Sequence, residues 1–173
     1  MEKVILVNKK DEPIGEMEKM EAHEKGLLHR AFSIFVFNDQ NELLLQQRAI
    51  EKYHSGGLWT NTCCSHQRKG ESNLEAGHRR LMEEMGFDTE LEVKFSFIYR
   101  AELDQGLTEH ELDHVIIGRY NGEVNFNKKE VMSTKHVDLD WLENDMQINP
   151  QEYTEWFKIV FNQVKELIAK EIQ

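Results

Sequence analysis

Short apolar runs alternate with polar turns along the chain, and their spacing predicts its elements. Val4-Ile5-Leu6-Val7 is a β-type run, ended by the turn-prone Lys10-Asp11-Glu12-Pro13. Glu16 to Lys25 is polar and reads as a short helix before Gly26. Ala31 to Phe37 is β-branched and aromatic, Asn38 to Asn41 is turn chemistry, and Glu42 to Arg48 follows as a second strand. That order predicts a hairpin. Ala49 to Leu58 reads as a loop and Trp59 to His66 as extended chain.

The period then changes. Leu74, Gly77, Leu81 and Met85 recur at helical spacing behind Ser72-x-x-Glu75, a capping-box pattern, and Gly86 sits where a left-handed cap ends a helix. Glu92 to Ala101 and Leu107 to Tyr120 read as strands around the turn Asp104-Gln105-Gly106, and Asn121-Gly122 is a hairpin signal. Thr134 to Asp140 is expected as a late strand, with a short helix over Trp141 to Asp145. Asn149-Pro150 suits a helix start, after which Tyr153, Trp156/Phe157, Val160, Val164 and Ile168 form an apolar stripe to the C-terminus. Mixed strands with a central and a terminal helix predict an α+β or α/β sandwich, in one domain spanning 1–173.

Composition narrows the partners. A net charge of -11 argues against a nucleic-acid surface, so a small anionic ligand must be met by local Lys and Arg or by a cation held on carboxylates. No apolar run approaches the roughly 20 residues of a membrane span, and the N-terminus lacks the apolar core of a signal peptide. A cytosolic protein is expected. Cys63 and Cys64 are adjacent, a spacing that disfavours a structural disulfide, and both read as free thiols.

Several groups carry chemistry, each beside a plainer reading. Cys64 and His66 are two apart and share a face on an extended segment. Glu109 and Glu111 share a face if extended, with His110 pointing away; two such carboxylates repel unless a cation or proton lies between them, or they are simply solvated. On the Ser72–Met85 helix, Arg79/Glu83 and Arg80/Glu84 are i,i+4 neighbours, which a solvated face of ion pairs also explains. His23, His29 and His66 lie in separate segments, so spacing alone carries little weight for a three-histidine site. His54, His78, His114 and His136 read as solvated or locally bonded side chains.

Taken together, these residues resemble a family. Ser65-x5-Glu71-x7-Arg79-Arg80-Leu81-Met82-Glu83-Glu84-Met85-Gly86-Phe87 resembles the Nudix box, G-x5-E-x7-R-E-U-x-E-E-x-G-U. Two positions depart from it. Ser65 stands for the opening Gly, and Arg80 stands for the Glu of the Arg-Glu pair, so one metal-binding carboxylate of the pyrophosphate hydrolases is missing. From about Val4 to the C-terminal helix the sequence is similar to the type 1 isopentenyl diphosphate isomerases. WTNTCCSH resembles their W-T-N-x-x-C-x-H signature, EAHEKGLLHRAFS their segment with two metal histidines, and YRAELDQGLTEHE their segment with a site Tyr and an E-x-E pair. Gln67 departs, where a Pro commonly follows the His, and is expected to alter the loop rather than the chemistry.

The resemblance implies a Nudix fold, an α/β/α sandwich whose mixed sheet carries the Nudix helix and an additional C-terminal helix. It implies isomerisation of isopentenyl diphosphate to dimethylallyl diphosphate through protonation, a tertiary carbocation and loss of a different proton. Cys64 and Glu111 are then the acid–base pair, Tyr99 assists proton delivery and Trp156 faces the cation. Which of the pair protonates depends on substrate pose and direction. One divalent ion is expected on His23, His29, His66, Glu109 and Glu111, with imidazole richness favouring Mn²⁺ or Zn²⁺ and Mg²⁺ an alternative. A second cation, Mg²⁺, is expected to bridge the diphosphate to Glu84 and the Cys64 backbone carbonyl, with Lys19, Arg48, Lys52 and Arg80 on the remaining phosphate oxygens. A Nudix diphosphate hydrolase and a non-catalytic Nudix ligand-binding module are the competing readings.

Overall fold

Strand β3 (His29–Phe37) is the apolar run from which the rest of the molecule is assembled. It is buried along nearly its whole length, as its β-branched and aromatic composition requires of a central strand. The computed structural model describes residues 2–172, so Met1 and Gln173, the two ends of the expected 1–173 domain, lie outside the described residues. β8 (Thr108–Arg119) runs parallel to β3, pairing His29 with Glu111 through to Phe37 with Arg119. β6 (Cys63–Ser65) lies antiparallel to it, with Ser33 opposite Cys64, and β1 (Lys3–Val7) joins at His29. β7 (Leu91–Glu102) pairs antiparallel with β8, placing Tyr99 opposite Glu111. β4 (Leu43–Arg48) pairs with β5 (Trp59–Thr60) and with β9 (Val131–Val137).

Alternation along β3 sorts the core into two layers. Phe32, Ile34 and Val36 face α2 (Asn73–Met85), meeting Ala76, Leu81 and Met85. Phe35 and Phe37 face α3 (Leu139–Ile148) and α4 (Glu155–Ile172), meeting Leu142, Phe157, Val160 and Val164. Helices on both faces of a mixed sheet make the expected α/β/α sandwich. The capping box at Ser72 forms as anticipated, with Glu75 N–H donating to Ser72 Oγ at 3.1 Å and Ser72 N–H to Glu75 Oε1 at 3.0 Å. Gly86 closes α2 at φ 73°, and an added Cβ there would stand 2.1 Å from Asn125 O, so two constraints require glycine.

Four local expectations need correction. Pro13–Glu18 forms a strand, β2, antiparallel to β1, and the helix α1 is confined to Lys19–Lys25. The PIGEME segment carries little apolar periodicity because it is an exposed edge strand, held by the β1 ladder rather than by burial. β3 and β4 meet as a hairpin only at Phe37 and Leu43 and then part. Thr62 fills the gap between them: Val36 N–H donates to Thr62 Oγ1 at 2.9 Å, and that hydroxyl donates to Leu44 O at 2.6 Å. Asn121-Gly122 makes no two-residue hairpin; Asn121 Oδ1 instead accepts from Asp39 N–H at 2.8 Å, and the chain runs on to β9. Asn149-Pro150 opens a 3₁₀ turn, with α4 starting at Glu155.

Candidate active site

The same alternation that builds the core separates the two cysteines. Cys63 points toward α2, where its Sγ lies 3.3 Å from Glu84 Oε2. Cys64 points to the opposite face, into a pocket lined by Ser33, His66, Glu109, Glu111, Asp113 and Trp156. On that face β3 contributes His29 and Ser33, β8 contributes Glu109, Glu111 and Asp113, and β7 contributes Tyr99. Trp156 of α4 covers them. Residues far apart in sequence converge because they occupy matching positions on adjacent strands. The cavity at their centre is about 20 Å³, room for little more than one water, so a five-carbon chain must displace side chains to enter.

Cys64 is held from three sides. Trp156 Nε1–H donates to Sγ at 3.0 Å, the thiol reaches Asn61 Oδ1 at 3.0 Å, and Ser33 Oγ lies 3.7 Å away. Asn61 is fixed in turn, because its amide donates to Ile34 O and Cys63 O, which aims its oxygen at the thiol. Burial pushes the Cys64 thiol well up, and Asp113 adds to this whenever it is ionised, against the pull of the hydrogen bonds. Asp113 accepts from Ser33 Oγ at 2.7 Å, and its own carboxyl is pushed well above the carboxylate range by burial and by Glu111.

Glu109 and Glu111 do share a face. Tyr99 Oη lies 2.6 Å from an oxygen of each. One phenol proton serves one carboxylate, so the other contact needs a carboxyl proton. Burial, reinforced by Glu111, pushes Glu109 well above the usual range. Burial acts on Glu111 too, but His29 and His66 hold it well below. The Tyr99 phenol is itself pushed well up, by burial and then by both carboxylates.

The histidines converge as the resemblance implies. His29 and His66 each place Nε2 3.0 Å from Glu111 Oε2. His23, His29, His66 and Glu111 bring donor atoms within 4.8 Å of one another, all buried. Tautomers follow from the outer partners. His29 Nδ1–H donates to Leu27 O at 2.9 Å and His23 Nδ1–H to Lys19 O at 2.7 Å. Nε2 of each ring therefore faces inward, that of His29 toward Glu111 Oε2 and that of His23 toward no partner among the described residues. Buried acceptors facing each other fit a divalent cation between them, with the outer N–H bonds that metal-bound histidines characteristically make. Glu109 falls outside this group of four; it joins His23 and His54 in a second one.

His54 is locally bonded, its Nδ1 3.0 Å from Ser55 Oγ, but it is not solvated and it reaches the site. It is 2 % exposed and its Nε2 lies 3.5 Å from Glu109 Oε2. Burial, with Arg48 beside it, lowers its pKa to about 2. His114 is also largely buried, against Asp11 at 3.0 Å, while His78 pairs locally with Asp88 and His136 is exposed.

The basic residues gather beside this pocket and already have acidic partners. Arg80 Nη2 donates to Glu84 Oε2 at 2.9 Å and to Glu130 Oε1 at 2.9 Å, and Lys52 Nζ lies 3.6 Å from the same Glu130 oxygen. Lys19 pairs with Glu2 at 2.9 Å and lies over the Tyr53 ring. The Arg48 guanidinium stands 5.3 Å from the Trp156 ring centroid, with Nη2 donating to His54 O at 3.1 Å. Glu130 and Glu2 are partners of these cations that no local sequence pattern signals. Glu84 is 3 % exposed and takes hydrogen bonds from Arg80, Gln46 and Cys63, so a cation there would share or displace those donors. Gln67 is fully buried, its amide donating to Ala31 O at 3.2 Å and Asn73 Oδ1 at 2.8 Å, which ties the loop after His66 to β3 and α2.

Residues 27–157 match the family described as the NUDIX domain. The chain is 50% identical over 161 residues to the isopentenyl-diphosphate Delta-isomerase of Pectobacterium atrosepticum, covering 93% of this chain and 90% of that protein. It is 53% identical over 159 residues to isopentenyl-diphosphate Delta-isomerase 2 of Photorhabdus laumondii, covering 92% and 90%. Among solved structures, one from Deinococcus radiodurans superposes with a TM-score of 0.73 at 18% identity, covering 92% of this chain and 97% of that one. A MutT protein from Methanosarcina mazei superposes with a TM-score of 0.66 at 16% identity, covering 80% and 94%. These two likenesses concern the fold alone.

Proposed function

The chain belongs to the isopentenyl-diphosphate Delta-isomerases of the Nudix superfamily, and we propose that Cys64 and Glu111 are the acid–base pair through which it interconverts isopentenyl and dimethylallyl diphosphate in isoprenoid biosynthesis. The observation that carries this assignment is their meeting in one buried pocket. A proton must add to the terminal carbon of an unactivated alkene, leaving a tertiary cation, and a different proton must leave the neighbouring methylene. Two proton-handling groups facing one closed cavity suit that sequence.

Burial keeps Cys64 as a thiol, while the histidine partners keep Glu111 ionised. The pair therefore carries one proton at rest. The member that holds the proton gives it to the alkene and the other takes the departing one; substrate pose and direction set which member holds it when the chemistry begins, and proton exchange with solvent restores the resting pair. Tyr99, bonded to Glu109 and Glu111, relays the carboxyl proton. Trp156 offers its π-face to the cation and its N–H to the Cys64 sulfur. Exclusion of water by this shell protects the cation from capture.

His23, His29, His66, Glu109 and Glu111 are the residues assigned to a divalent ion, which when bound balances the buried carboxylate charge and fixes Glu111. Mn²⁺ and Zn²⁺ suit the imidazole-rich set by ligand softness, with Mg²⁺ the harder alternative. Lys19, Arg48, Lys52 and Arg80 are assigned to the diphosphate, which takes over cations now paired with Glu2 and Glu130. Glu84 and the Cys64 carbonyl are the assigned contacts of a Mg²⁺ travelling with the diphosphate. The protein remains acidic overall while these local cations meet the anion.

The hydrolase reading is weakened at Arg80. The guanidinium stands where the hydrolases carry a metal-binding carboxylate, and it is locked onto Ser65, Glu84 and Glu130. Incubation with isopentenyl diphosphate under a Mn²⁺ and Mg²⁺ titration tests the reading. An acid-labile allylic diphosphate is expected, whereas release of phosphate without that product would favour hydrolysis.

A further inference from the structure

We propose that His54 is a fourth imidazole ligand of the metal centre, reaching the ion from the Glu109 side. This inference rests on the reading that His23, His29, His66 and Glu111 hold a divalent ion. His23 belongs to both clusters of donor atoms: one with His29, His66 and Glu111, the other with His54 and Glu109. Its Nδ1–H is committed to Lys19 O, so one nitrogen, Nε2, faces inward. A single lone pair serves a single ion. The two clusters are therefore two sides of one coordination shell.

The atoms on the second side are orphaned as they stand. Glu109 Oε2 and His23 Nε2 are buried with no hydrogen-bond partner among the described residues. His54 Nε2 lies 3.5 Å from Glu109 Oε2, at the long edge of any hydrogen bond. Donors about 2.1 Å from an octahedral ion stand about 3 Å from their neighbours and about 4.2 Å across the ion. Within each cluster the donor atoms lie within 4.8 Å of one another, so small side-chain shifts onto a shared ion bring them into that range. Counting one atom per residue, His23, His29, His54, His66, Glu109 and Glu111 supply six donors.

The loop is built to deliver His54. Ser55 adopts φ 54°, a left-handed conformation rare for a residue with a side chain. Its N–H donates to Asp104 Oδ1 at 3.0 Å, and Arg48 Nη2 donates to His54 O. Gly56 passes so close to Ile50 O that a Cβ would stand 2.3 Å from it. These restraints turn the His54 ring inward, edge-on to Trp156 and packed on Tyr53. Its Nδ1 lies 3.0 Å from Ser55 Oγ, and donation of Nδ1–H to that hydroxyl leaves Nε2 free for the ion. Four imidazoles with two carboxylates also bias the site toward Mn²⁺ and its transition-metal neighbours over Mg²⁺.

The test uses Mn²⁺ on the full chain, read by equilibrium dialysis and by pulsed electron paramagnetic resonance, which counts coordinated imidazole nitrogens. His54→Asn keeps a polar atom near the Nδ1 position for Ser55 and removes the inward nitrogen. His54→Ala serves if that variant fails to fold, and His29→Ala is the reference for loss of an assigned ligand. Four nitrogens in the unaltered protein and three in the His54 variant, with affinity about tenfold weaker, support the proposal. The same count in both overturns it, because His54 then only hydrogen-bonds Glu109. If the unaltered protein binds no Mn²⁺, or His29→Ala leaves binding and count unchanged, the underlying metal reading fails instead.

Discussion

Arg80 Nε donates to Ser65 Oγ across 3.0 Å, so the two positions that depart from the Nudix pattern are partners. A glycine at 65 would offer no acceptor, and a glutamate at 80 would face Glu84 and Glu130 without their cation. The pair replaces one metal-binding carboxylate of the Nudix pattern with a guanidinium fixed on Ser65, Glu84 and Glu130.

Arg80→Ala should therefore destabilise the protein by about 3 kcal/mol, as expected when a buried carboxylate such as Glu84 loses its cation. Urea unfolding measures this. Arg80→Lys should recover much of the stability yet raise KM for the diphosphate, because an ammonium cannot reproduce the forked contacts. A lysine variant with unchanged KM would remove Arg80 from the diphosphate site.

Cys64→Ala should lower kcat by at least about 10²-fold, the usual contribution of one general acid or base. Cys63→Ala should keep turnover, since its thiol faces Glu84 on the other side of the sheet, and should show only a modest loss of thermal stability. Equal loss in both would mean the wrong thiol has been assigned.

Trp156→Phe separates the two parts given to the indole. It retains an aromatic face but removes the N–H to Cys64 Sγ. A fall in kcat smaller than that of Trp156→Ala is expected, with the shift in the thiol's titration read by alkylation rate against pH. An unchanged alkylation profile would show that the N–H does not tune the sulfur.

The metal-free protein should lose stability as pH falls below about 6.5. Burial lowers the His23 pKa from 6.5 to about 4, so between those values the unfolded chain binds a proton that the folded chain does not. The contribution is complete above 6.5 and is lost as pH falls toward 4, with about 2 kcal/mol of it gone by pH 5. His54, lowered to about 2, acts in the same direction. Urea midpoints in a chelator between pH 5 and 8 check this, and a midpoint that rises toward pH 5 would contradict it.

What the sequence revealed tracks how local the cause was. The Ser72 capping box, the Gly86 cap and the α4 stripe from Trp156 to Ile168 depend on neighbours a few residues away and form as expected, while Tyr153 precedes the helix. Cys64, His66, Tyr99 and Glu111 were legible through motif resemblance, and register explains their meeting, since Ser33 lies opposite Cys64 and Tyr99 opposite Glu111. β2 was hidden because an exposed edge strand needs no apolar alternation. His54 and Glu130 were hidden because their partners, Glu109 and Arg80, lie about 50 residues away and no local pattern encodes the approach.

Turnover of isopentenyl diphosphate in D₂O, followed by NMR for the unaltered protein, Cys64→Ala and Glu111→Gln, decides whether Cys64 and Glu111 move the protons. The unaltered protein with Mn²⁺ and Mg²⁺ should yield dimethylallyl diphosphate carrying deuterium in a methyl group, and neither variant should. Phosphate release without deuterated allylic product, or full deuteration by Cys64→Ala, would contradict the account.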